Sequence, residues 1–165
     1  AWEKSPERLI EAFSKIENSD CHLIMAGDGP LLEKMKSYAK ELGLDNRVNF
    51  LGQIKDVDYL FAKSSIFVLP SVIEGFPNAL CEAMASGLPS IAFETIPYED
   101  IIENGINGII VSDTNELSIK INNLIDNPNL RRKLGSEARK ISQKLSKEKA
   151  AKKLYFKMFQ TNLDL

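Results

Sequence analysis

One histidine and two cysteines in 165 residues narrow the chemistry before any motif is read. Cys21 and Cys81 lie in apolar contexts without a Cys-x-x-Cys or His–Cys spacing, so no zinc site is expected, and a reduced, intracellular protein is. His22 opens the apolar run His22–Ala26 and reads as a structural residue at a strand start. That leaves no histidine for a Ser-His-Asp triad. Long hydrophobic runs are missing too. The longest, Cys21–Ala26 and Ser65–Pro70, fall far short of the ~18–20 apolar residues of a membrane span. Ala1-Trp2-Glu3-Lys4 is followed by no apolar stretch and does not read as a signal peptide.

What is there is a core. Hydrophobic residues make up 44% of the chain against 27% charged, which excludes disorder and points to one globular domain. The formal net charge of −2 conceals a division. Residues 1–130 carry 10 Lys/Arg and 20 Asp/Glu, whereas residues 131–157 carry 11 Lys/Arg and 2 Asp/Glu. An acidic body is followed by a segment of net +9, read first as the solvated faces of two late helices. Its aromatics, Tyr155, Phe156 and Phe159, sit at helical spacing with Leu154 and Met158, which makes them core residues and argues against nucleic-acid binding.

Apolar periodicity alternates between short strands and helices. Ser5-Pro6 with Leu9, Ile10, Phe13 and Ile16 predicts a helix capped by Ser5. The buried-strand run His22–Ala26 ends in Gly27-Asp28-Gly29-Pro30, and a helix is predicted from Pro30 to Leu42. Strands at Arg47–Gly52, Ile66–Leu69, Ser90–Phe93 and Gly108–Val111 alternate with helices at Asp56–Ser64 and Pro77–Ser86 and a helical turn at Tyr98–Glu103. Three helices follow, Thr114–Asp126, Pro128–Leu145 and Lys147–Gln160. This order predicts an α/β fold, a single Rossmann-like doubly wound parallel sheet, with ligand loops beyond the carboxyl ends of the strands.

Of those loops, residues 70–77 carry the most chemistry. Pro77 suits a first helical turn, so the backbone N–H groups that open the following helix would face an anion such as a phosphate. Gly75 lets backbone approach a ligand closely. Ala79, Leu80, Ala83, Met84 and Gly87 form the expected buried stripe, while Asn78, Glu82 and Ser86 share the opposite face at i, i+4 and i+8. Glu74 from the loop and Glu82 from the helix would then enter one cleft. Carboxylates accept hydrogen bonds from vicinal hydroxyls, so the pattern suits a ligand with a phosphate centre and a sugar at each end. Either glutamate alone would be an ordinary surface acid.

The stretch Leu69–Ile91, LPSVIEGFPNALCEAMASGLPSI, resembles the signature of GT-B retaining glycosyltransferases of family 4, the glycosyl transferases group 1. Lys4-Ser5-Pro6, Leu23–Pro30, Val48–Gly52 and Asn104–Val111 extend the resemblance over about residues 3–145. It implies that Glu74 and Lys4 act at the reaction centre. Glu74 would hold donor-sugar hydroxyls and Lys4 would neutralise the diphosphate. Glu82 would take the ribose hydroxyls, and Ser71 and the backbone of Gly75, Phe76, Asn78, Ala79 and Leu80 would line sugar and diphosphate, with Gly29 bordering the nucleotide. The same resemblance implies transfer with retention, no metal, no cofactor and a UDP-, GDP- or ADP-sugar as donor. Its acceptor would be a glycan or a lipid-linked saccharide in envelope polysaccharide synthesis.

Two departures follow from the same likeness. The family's arginine and strand upstream of the lysine have no counterpart before Lys4, so the first strand is expected to be missing. Residues 1–165 would be the C-terminal, donor-binding half of a GT-B enzyme, inactive by itself without its own N-terminal acceptor domain. A cytoplasmic location follows; the basic tail is read as a solvated face, with contact to the N-terminal domain or to an anionic inner membrane face as the alternative. A non-catalytic nucleotide-sugar module is the alternative, and a dinucleotide-binding Rossmann domain a weaker one. The last lacks a third glycine after Gly27-Asp28-Gly29-Pro30 and an acid after the strand at 47–51.

Overall fold

The structure is a computed structural model that describes residues 4–71, 77–94 and 101–140. The elements are α1 (Pro6–Ser14), β1 (Leu23–Ala26), α2 (Leu32–Glu41), β2 (Val48–Gly52), α3 (Val57–Lys63), β3 (Phe67–Leu69), α4 (Asn78–Ala85), β4 (Ser90–Phe93), β5 (Ile109–Val111) and α5 (Thr114–Asp126). A further helix, α6, covers residues 128–140. The expected helix at 147–160 lies outside the described residues, as do the expected helix's last part at 141–145 and the turn residues 98–100.

Every strand pairing is parallel, as predicted for βαβ crossovers, but the described strands form two pieces, β1–β2 and β3–β4–β5. One core joins them. Leu9, Ile10 and Phe13 of α1, Met35 and Ala39 of α2 and Leu117, Ile121 and Leu124 of α5 cover one side, against Val48 from the first piece and Ile91, Phe93 and Val111 from the second. On the other side α4 buries Leu80 and Met84 against Leu69, Ala92, Ile101 and Ile102, and α3 brings Phe61 to Ala83 and Leu88. β4 lies between these layers and is buried at all four residues.

Local sequence explains several boundaries. Asp56 accepts the Tyr59 N–H at 2.8 Å and Asp113 accepts the Glu116 N–H at 2.8 Å, so α3 and α5 start at side-chain caps. Ser5 behaves differently from the expected cap. It occupies the left-handed region, φ 40° and ψ 52°, and its side chain makes no capping hydrogen bond to α1. A non-glycine residue there carries a conformational cost of about 1–3 kcal/mol that burial of Ser5 and the packed face of α1 must offset. β1 also departs from its apolar sequence. Leu23 and Met25 pack on the core, but Ile24 is 40% exposed, and Leu51 in β2 is 47% exposed. The piece β1–β2 is therefore covered on one face among the described residues.

Candidate functional site

The carboxyl edge of β3–β4–β5 gathers most of the site. β3 runs through Leu69 into Pro70 and Ser71, whose side chain is fully buried at the strand end. The chain re-enters the described region at Pro77, and α4 begins at Asn78. Pro77 stands one position outside the helix, at its N-cap, and not in the first turn as expected. The first bond of the α4 ladder runs from the Cys81 N–H to the Pro77 carbonyl, 3.1 Å, so the amides of 78, 79 and 80 lie ahead of the intrahelical ladder. N–H groups so placed and the amino end of the helix dipole favour an anion there.

Along α4, Leu80, Ala83 and Met84 are buried, while Asn78, Glu82 and Ser86 are exposed, as the spacing predicts. Ala79 corrects that reading. Expected in the buried stripe, it is exposed, since the helix turns its apolar face through 80, 83 and 84. Glu82 sits one turn beyond Asn78 on the open face. The Ser86 hydroxyl bonds the Glu82 carbonyl at 3.0 Å, so Ser86 closes the helix and adds nothing to the amino-end cleft.

Lys4 is exposed just before α1. One turn later, the Arg8 guanidinium lies 3.7 Å from the centroid of the Phe93 ring, a cation–π contact with the last residue of β4. This contact brings the amino end of α1, and with it Lys4, to the carboxyl end of β4, the same edge from which α4 starts. Arg8 was not singled out from sequence. Its place in the first turn of α1, four residues after Lys4, carried no local signal of the contact with Phe93.

Gly29 belongs to the edge of the other piece, after β1. Its N–H donates to Asp28 Oδ1 at 2.8 Å, so the loop satisfies this amide internally, and the Gly27 N–H bonds the Gly52 carbonyl at 2.7 Å to tie the loop to the end of β2. Glu74, Gly75 and Phe76 lie outside the described residues. His22 is exposed immediately before β1 and joins no part of the site. Cys21 and Cys81 are half-buried thiols. Among the described residues no three His, Cys, Asp or Glu side chains converge on a point, and no helix is long and apolar enough to cross a membrane.

The family model for glycosyl transferases group 1 matches residues 1–141. The chain belongs to the glycosyl transferases group 1 family. Over 133 residues it is 35% identical to an uncharacterised glycosyltransferase of Haemophilus influenzae, an alignment covering 79% of this chain and 38% of that protein. It is 32% identical over 128 residues to the UDP-Gal:alpha-D-GlcNAc-diphosphoundecaprenol alpha-1,3-galactosyltransferase of Escherichia coli, covering 74% of this chain and 33% of the enzyme. The matched part of the chain thus spans 38% and 33% of the length of these two relatives. Among solved structures, the Anabaena protein HepE in complex with UDP-glucose superimposes with a TM-score of 0.79 and 25% identity, over 92% of this chain and 46% of that one. The fold is the parallel α/β architecture of GT-B glycosyltransferases.

Proposed function

We propose that this chain is the C-terminal, donor-binding domain of a retaining, metal-independent hexosyltransferase that takes a nucleoside diphosphate sugar. The observation that carries the reading is the amino end of α4 at the carboxyl edge of the sheet, with exposed Glu82 one turn further on. Backbone N–H groups of Asn78, Ala79 and Leu80 receive the diphosphate, and Glu82 accepts hydrogen bonds from the ribose hydroxyls. Lys4 and Arg8 supply positive charge from the facing end of α1. As the glycosidic bond breaks, negative charge grows on the departing diphosphate, and these fixed donors lower that barrier without reorganising. Glu74, which the family resemblance assigns to the donor-sugar hydroxyls, completes the set.

The relatives' greater length supports a second domain that carries the acceptor, a glycan or lipid-linked saccharide like that in the name of the E. coli relative. The HepE complex with UDP-glucose supports a nucleotide sugar as donor. We place the enzyme in the cytoplasm, where nucleotide sugars are the activated donors. Isothermal titration of the chain with UDP, GDP, ADP, uridine and NADH tests the donor assignment. One nucleoside diphosphate binds, uridine binds at least about tenfold more weakly for want of the diphosphate, and NADH does not compete. Binding of NADH in preference to every diphosphate overturns the reading. The chain alone transfers no sugar, and in the longer enzyme Glu74→Ala lowers turnover without unfolding the protein.

A further inference from the structure

The two pieces of sheet share one layer, and the handedness of their connections fixes how they stand. α1, α2 and α5 lie on one face with Val68, Ile91 and Phe93, whereas α3 and α4 lie on the other with Phe67, Leu69 and Ala92. Crossovers between parallel strands of a sheet are right-handed. With α2 on the first face, β2 stands to one flank of β1; with α4 on the second face, β4 stands to the opposite flank of β3. α3, also on the second face, returns from β2 to β3 and so puts β3 beyond β1. Across the layer the order is β2-β1, then β3-β4-β5. The inner edges of β1 and β3 face each other, yet these two strands do not pair.

Backbone groups on both inner edges remain over. The Leu23 N–H donates to the Arg47 carbonyl and the Gly27 N–H to that of Gly52, so alternation turns the N–H groups of Ile24 and Ala26 inward. In β3 the Phe67 N–H goes to the Pro89 carbonyl, which turns the Val68 N–H inward. Among the described residues nothing accepts from these three N–H groups. Leu-Ile-Met-Ala and Phe-Val-Leu are continuous apolar runs, the pattern of parallel strands covered on both faces. No residue of β1 is fully buried, however, and in β3 only Leu69 is, whereas β4, paired on both edges, is buried throughout. α1 packs between α2 and α5 and leads into β1 from the first face. The same handedness therefore sets a strand ahead of α1 on the inner flank of β1.

We propose that the opening between β1 and β3 receives one further parallel strand, an extended apolar segment that leads into α1 and that residues ahead of Ala1 supply in a longer chain. The family likeness implies a strand before Lys4; the topology gives its place, its direction and its ladder partners, the N–H groups of Ile24, Ala26 and Val68. Running parallel to β1, it ends at the carboxyl edge, where Arg8 over Phe93 sets the amino end of α1. Residues 1–5 then make the turn into α1, within the about 2–6 residues usual for such a connection. Strand order reverses at this opening, so the end of the segment borders the candidate donor site. Its place in the sheet does not depend on what that site binds. Without it, two apolar edges stand open to pairing with other chains.

Amide hydrogen exchange read by NMR tests this on the chain itself and on the chain with Val-Ile-Val-Ile joined ahead of Ala1. In the extended protein the amides of Ile24, Ala26 and Val68 exchange at least about tenfold more slowly and the thermal midpoint rises. Phe50 alternates with the β2 residues that face β1, so its N–H lies on the outer edge and its exchange is unchanged. Val-Pro-Val-Pro in the same place lacks half of the N–H donors and brings neither effect. Slow exchange of the three amides in the chain itself means that another of its segments holds the opening, and overturns the proposal. Protection that grows with protein concentration assigns the opening to a second copy and overturns it too. So does slowing confined to Phe50, an equal effect of the proline segment, or no change at the three amides. Nucleoside diphosphate titration reads the donor site separately, so the two readings can fail independently.

Discussion

Thr114 Oγ1, in the first turn of α5, donates a 2.8 Å hydrogen bond to Glu11 Oε1 of α1, joining helices whose residues lie 103 apart in the chain. Lys15 extends the tie, donating to Glu11 at 3.2 Å and to Asn115 Oδ1 at 2.7 Å. The Thr114 hydroxyl, followed by the Lys15 ammonium, holds the Glu11 carboxyl below its ordinary range. A carboxylate depressed in the folded state stabilises above its unfolded value of about 4.3, and that contribution disappears as pH falls through the lower folded value. Thr114→Val should therefore lower stability at pH 7 by about 0.5–1 kcal/mol. Thermal melts of the two proteins should converge as pH falls below about 4. A gap of the same size at pH 3 would remove Glu11 from the explanation.

Gly135→Ala sets two effects against each other. In an isolated helix the change is favourable by about 1 kcal/mol. Here the new Cβ has the Gly87 carbonyl in its place, with Pro89 close behind, and such overpacking costs about 1–3 kcal/mol. Denaturant unfolding should show a net loss, and a net gain would mean that α6 can lift off the α4–β4 turn at no cost.

Asn107 is fully buried, accepts the Glu103 N–H at 2.8 Å and donates to the Ile101 carbonyl at 3.1 Å. Asn107→Ala strands both backbone groups, so a cost of about 1–3 kcal/mol is expected in urea unfolding. Asn107→Asp can still accept from Glu103 but faces the Ile101 carbonyl with a charge, and should be the worse variant at pH 7. Equal stability of all three proteins would show that water replaces the lost bonds.

Glu82→Ala separates binding from folding. The side chain is exposed, so the thermal transition should stay within about 0.5 kcal/mol of the parent. Nucleoside diphosphate affinity, measured by calorimetry, should fall about 10–100-fold, the scale of charge-assisted bonds to ribose hydroxyls. The same variant should discriminate less between a nucleotide and its 2′,3′-dideoxy analogue. Undiminished discrimination would place the ribose elsewhere.

How legible was this protein in its residues? β4 and α5 lie where the periodicity puts them, because each has an unambiguous apolar pattern and, for α5, a capping aspartate. The Asn78–Glu82–Ser86 face was readable from helical spacing. Ser5 was not, since its Ser-Pro context matches an ordinary cap while its backbone sits in the left-handed region. Ile24 and Ala79 were misjudged for one reason. An apolar side chain in an apolar run can face a core or solvent, and only the neighbouring elements decide which. Arg8 on Phe93 joins residues far apart in the chain, and no local spacing announces such a pair.

The order of strands and helices, their parallel pairing and the exposed Asn78–Glu82–Ser86 face of α4 followed from the sequence alone, because hydrophobic period is a local property. The tertiary structure decided what meets across the fold. It set Arg8 over Phe93 at the candidate donor edge, locked α1 to α5 through Glu11 and Thr114, and brought Gly87 and Gly135 into contact beneath two arginines. These contacts depend on how layers pack around one core, a property of the whole chain that no segment of it contains.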